Sequence, residues 1–150
     1  MPLEHQLLFL ILGVVWGGLF LWYARSKGAT NERLLLASGL VIAAVIYIGF
    51  GLVWGNVYWV GIESAGVVFY TLFVILAYQH KYWWLAIGWL LHVCWDIGLH
   101  LMGPGVHIVP AWYAVACIGF DVLMAGYILF GLQKTTPTSS VSHMSRETVQ

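Results

Sequence analysis

The sequence predicts an all-α integral membrane protein, a bundle of five transmembrane helices, and three observations carry that expectation. Apolar runs of nearly twenty residues recur along the whole chain, and a helix of about twenty residues crosses a hydrocarbon core roughly 30 Å thick. Of the 150 residues, 61% are hydrophobic and only 8% charged, with a mean hydropathy of +0.87, whereas soluble domains are roughly 25% charged. All six Lys and Arg residues fall on one side of a five-span arrangement.

The first span covers residues 6–23 and ends on Trp22-Tyr23, an interfacial aromatic pair. It lacks a preceding basic stretch and a small-residue cleavage site, so it reads as a span rather than a signal peptide. The polar stretch from Arg25 to Arg33 is expected to be a loop, with Thr30 or Asn31 capping the next helix and Glu32 near its start. The second span, 34–53, carries Gly39, Ala43, Gly49 and Gly51, small residues that permit close helix approach. The aromatic turn Trp54–Trp59 leads into the third span, 59–78, with Glu63 near its start. Gln79-His80-Lys81 makes a tight polar turn before the fourth span, 82–102, which Gly103-Pro104-Gly105 breaks. The fifth span, 109–130, carries Asp121. Residues 1–132 are expected to form one transmembrane domain, and the Ser/Thr-rich stretch 133–150 a disordered tail.

Charge orients this arrangement. Arg25, Lys27 and Arg33 lie in the first connection, Lys81 in the third, and Lys134 and Arg146 in the tail. The positive-inside rule puts that side in the cytoplasm, with the N-terminus out and the C-terminus and tail in.

Ionisable residues within spans are costly and default to functional suspicion. His92, Asp96 and His100 are spaced by four along the fourth span and so form one stripe. A rise of 1.5 Å per residue puts His100 at about 3 Å, Asp96 at about 9 Å and His92 at about 15 Å below the outer edge. The same reckoning puts Glu63 at roughly 6 Å and Asp121 at about 18 Å. Glu63 thus matches Asp96 and His100 in depth, and Asp121 matches His92. Tyr113, Cys117 and Asp121 form a second stripe, Glu63, Gly66 and Tyr70 a third, and Tyr47 shares a face with Gly51.

Imidazole and carboxylate together suit a divalent metal, and two ligands on adjacent turns of one helix are a common device. His92, Asp96 and His100 are the candidate metal ligands. Glu63, His92, Asp96, His100 and Asp121 are the candidate catalytic set, by metal or acid/base chemistry. A structural hydrogen-bond network is the bland alternative for these residues. Haem ligation is disfavoured because both deep histidines lie on one helix, roughly 12 Å apart along its axis. No GxSxG surrounds Ser64, the intramembrane serine near Glu63. Cys94 and Cys117 have no paired spacing that would indicate a disulfide framework. The absence of a basic patch argues against nucleic acid as a partner.

The run Gly88-Trp-Leu-Leu-His92-Val-Cys-Trp-Asp96-Ile-Gly-Leu-His100 resembles the GWLLH–WD–H helix of a family of small bacterial multi-pass membrane proteins of unknown function. The likeness takes in Tyr47, Glu63, Pro110 and the Cys117-x-x-x-Asp121 spacing, over roughly residues 39–127. Members often read Cys-Asp-Pro where this chain has Phe120-Asp121-Val122, and tend to have a second His where it has Leu99. The resemblance implies an integral membrane fold, in a bacterial inner membrane, and no defined activity. The sequence therefore supports a membrane-embedded enzyme for a lipophilic small molecule, with ion or proton translocation and a non-catalytic subunit as alternatives. The partners expected are membrane lipids, and an oligomer or larger membrane complex is compatible with so small a chain.

Overall fold

Proline, glycine and asparagine set the helix ends. In the computed structural model, which describes residues 2–131, Pro2 precedes the first helix, α1 (Leu3–Ser26). Gly28, at φ +83°, takes the left-handed conformation that only glycine adopts freely, and α2 (Ala29–Trp54) begins directly after it. Asn56 caps α3 (Val57–Gln79), its side chain accepting from the backbone N–H groups of Tyr58 and Trp59 at 3.0 and 3.3 Å. The fourth span is α4 (Trp83–Trp95) continued by a π-helical segment, Asp96–Leu101. Pro110 introduces α5 (Ala111–Phe130). All five segments are long and apolar enough to cross a membrane. The protein is thus an all-α bundle of membrane-spanning helices. The tail expected at 133–150 lies outside the described residues.

The first connection is shorter than its composition suggests. Only Lys27 and Gly28 separate α1 from α2, so the expected loop is almost entirely helical. Thr30 and Asn31 are not caps, because the Glu32 N–H already bonds the Gly28 carbonyl at 2.9 Å and closes the first turn there. Asn31 instead donates to the Lys27 carbonyl at 3.0 Å. Glu32 is buried and accepts the Tyr127 hydroxyl, tying α2 to the end of α5.

Consecutive helices pack as hairpins, and α1 returns to lie along α5. That last contact is the closest in the bundle. A Cβ at Gly13 would collide with the Ala116 carbonyl, and one at Gly119 with the Leu10 carbonyl. Backbone cannot yield as a side-chain tip does, so Gly119→Val is expected to force the two helices apart, at a cost of about 1–3 kcal/mol. Thermal unfolding in detergent reads this directly. Gly126→Ala on the same helix, where a Cβ meets nothing within 4 Å, should leave the melting temperature near that of the wild type.

The basic residues gather at one end. The Arg33 guanidinium lies over the Tyr82 ring at 5.1 Å, and the Tyr82 hydroxyl donates to the Arg33 carbonyl at 3.1 Å. The α1–α2 and α3–α4 connections are thereby joined. Next to this end a buried cluster including Leu36, Leu40, Leu85 and Trp89 fills the bundle. A second cluster of Tyr47, Trp59, Ile108, Val109 and Ala114 fills the opposite end. Outward-facing Leu7, Ile11, Val68 and Leu72 meet lipid.

Candidate functional site

Between the two apolar clusters, buried side chains from four helices converge. Helical spacing turns His92 and Asp96 of the fourth span inward, and Cys117 and Asp121 follow the same spacing on α5. His92 Nδ1 lies 2.8 Å from Asp121 Oδ2 and 3.8 Å from Asp96 Oδ2. The ligand atoms of these three residues all lie within 4.8 Å of one another, and each residue is buried. The triad is capable of coordinating a divalent metal.

Asp96 is the anomaly. Its side chain has no solvent exposure, and neither carboxylate oxygen makes an aligned hydrogen bond, the nearest imidazole nitrogen standing 3.8 Å away. Buried carboxylates are normally paired, hydrogen-bonded or bound to a cation. The buried Tyr47 hydroxyl stands within reach of it, though out of strict hydrogen-bond alignment. The Tyr47 ring packs against both imidazoles, with centroids 5.4 Å from His92 and 4.9 Å from His100.

Glu63 and His100 form a second pair. His100 Nε2 lies 3.3 Å from Glu63 Oε1, close enough for an ion pair but out of hydrogen-bond alignment. The Trp95 indole N–H donates to Glu63 Oε2 at 3.2 Å. Trp95 reaches across α3 over Gly66, where a Cβ would meet its ring at 3.3 Å. His100 Nδ1 lies 3.4 Å from the Gly105 carbonyl. Gly105 itself has to be small, since a Cβ there would stand 3.0 Å from the same nitrogen. When Nδ1–H donates to that carbonyl, Nε2 and the Glu63 oxygen attract only with a proton between them.

Of the depth matches expected from helix rise, Glu63 with His100 and His92 with Asp121 are in contact, whereas Asp96, also placed at the level of Glu63, stands with His92. The clustered donors are His92, Asp96 and Asp121, where the sequence groups His92, Asp96 and His100. Asp121 stands across the α4–α5 interface at the level of His92, whereas His100 lies a turn further along and turns to α3. The π-helical segment contributes, its Met102 N–H reaching back five residues to the Ile97 carbonyl at 3.0 Å. Tyr47, Trp95 and Glu32 carry contacts that the sequence did not assign to them. The shared face of Tyr47 and Gly51 was the available signal for the first, and the packing of Trp95 and Glu32 had none.

A cleft of about 340 Å³ opens between α1, α2 and α5. Its wall is almost entirely apolar, with Tyr113, Cys117 and Asp121 along the α5 side.

No curated protein and no solved structure matches the chain. A family model does, over residues 8–134, so the protein belongs to the family of unknown function DUF6010.

Proposed function

We propose that the protein is a membrane-embedded enzyme that binds one divalent metal at His92, Asp96 and Asp121 and acts on a lipophilic substrate. The observation that carries this reading is Asp96, a fully buried carboxylate without an aligned hydrogen bond, 3.8 Å from an imidazole and clustered with a second carboxylate. Charge balance points the same way. Two carboxylates and a neutral imidazole around a divalent cation sum to zero, and the Glu63–His100 pair neutralises itself with one shared proton. Spacing fits as well: ligand atoms about 2.1 Å from a tetrahedral metal lie roughly 3.4 Å apart, and the 2.8 and 3.8 Å separations here bracket that value. The metal would take the place of the proton between His92 and Asp121, the neutral imidazole then carrying its proton on Nε2. Three protein ligands leave a coordination position for substrate or water. Glu63 and His100 are the candidates for moving a proton near it.

Orientation belongs to the same proposal. The joined basic ends of the α1–α2 and α3–α4 connections support a cytoplasmic assignment, with the N-terminus out, the 133–150 tail in and the site in the outer half of a bacterial inner membrane. Between the triad and the basic end lies the layer of Leu36, Leu40, Leu85 and Trp89. That apolar layer favours a one-sided site over an ion or proton path through the bundle.

Elemental analysis of detergent-purified protein after exposure to zinc, manganese or ferrous ion, followed by desalting, tests the metal. About one equivalent is expected in the wild type and less than a tenth of that in Asp96→Asn and His92→Ala. A wild type that retains no metal and shows no thermal shift with any of the three would overturn the metal reading and favour a structural role.

A further inference from the structure

We infer that the cleft between α1, α2 and α5 binds one acyl chain of a bilayer phospholipid, drawn in sideways from the membrane. Its place in the bilayer names the medium that fills it. The cleft is walled by Trp16 and Phe20 of α1, Ile42 and Ile46 of α2, and Phe120 of α5, all within segments apolar enough to span a membrane. At about 340 Å³ it holds roughly eleven units of water-molecule size, room for a single chain and not for a headgroup with its two chains. The α1–α2 contact is slight beside that of α1 with α5, which leaves a lateral mouth between two helices joined only through Lys27 and Gly28.

Depth selects the chain rather than the headgroup. Asp121 stands ten residues into α5, about 15 Å along the helix, which is the midplane of a core ~30 Å thick. Headgroups do not reach that level, whereas mid-chain carbons occupy it. The same residue lines the cleft and bonds His92, so a chain in the cleft comes up to the triad at Asp121. That this makes the chain the substrate rests on the metal reading above; the binding does not.

The test uses the purified protein in vesicles of phosphatidylcholine containing a small fraction of the same lipid with a photoreactive diazirine at mid-chain. Mass spectrometry is expected to place labels on Ile42, Ile46 and Phe120 at about tenfold the level of Val68 and Leu72, which face lipid without a cleft. A diazirine next to the headgroup should not show that preference. Ile42→Trp, at a half-exposed lining position (57%), should fill the mouth and abolish the preference without changing the melting temperature or the metal content. Asp96→Asn should lose the metal and keep the labelling pattern, which separates this inference from the one beneath it. Uniform labelling of cleft and outer faces would overturn the proposal.

Discussion

Asp96→Asn is expected to stabilise the metal-free protein while removing the stabilisation that divalent metal gives the wild type. Neither carboxylate oxygen of Asp96 makes an aligned hydrogen bond, and a desolvated, poorly satisfied polar group costs about 1–3 kcal/mol, more when charged. The amide is nearly isosteric and carries no charge, so the metal-free variant should unfold later than the metal-free wild type, by about 1 kcal/mol once the amide's own burial is set against the charge removed. Metal at a hundredfold excess over its dissociation constant should add about 2.7 kcal/mol to the wild type and nothing measurable to the variant. Thermal unfolding in detergent, with chelator and then with metal, gives all four values. A variant less stable than the wild type under chelator would show that Asp96 holds the bundle together, contrary to a binding role. Residues kept in a costly state by the fold are the ones to which function gives a reason.

Asp121→Ala carries the opposite sign. Asp121 Oδ2 and His92 Nδ1 are 2.8 Å apart with both side chains about 1% exposed, and removing one partner of such a pair strands the other. The loss expected is about 3 kcal/mol, at the lower edge of the range for broken buried pairs, and it should appear with chelator present as well as without. Asp121→Asn keeps an acceptor for the imidazole N–H and should recover most of that stability while still failing to retain metal. Two carboxylates on one imidazole thus separate by sign: one supports the fold without metal, and the other is tolerated for what it binds. Equal destabilisation by Asp96→Asn and Asp121→Ala would make the triad a structural network alone.

Much of this arrangement follows from one-dimensional information. Span length and the side taken by Arg25, Lys27, Arg33 and Lys81 fold the chain into hairpins, and helix rise alone brings Glu63 to His100 and His92 to Asp121. Depth is legible because every span is measured from a membrane edge. Rotation about each helix axis is less so. Asp96 and His100 share a stripe in the sequence, yet one faces His92 and the other Glu63, because packing against α3 and α5 and the π-helical ending decide the last turn. Glu32 looks like an ordinary helix-start residue, and its burial depends on Tyr127, ninety-five positions away. Trp95 meets Glu63 only because Gly66 leaves the space for it. Pair contacts of that kind belong to two helices at once, and no pattern within either one encodes them.

The π-helical segment also bears on how the site yields under load. Five-residue hydrogen bonding is rare and recurs at functional sites, and here it begins at Asp96 and ends beside His100. The segment between those two residues is where the fourth span leaves its α-helical ladder. A ligand drawing Asp96 towards His92 can be accommodated there, with α4 below held by its core and the Gly105 loop above left in place. The bundle places this change of helical ladder next to its buried charges.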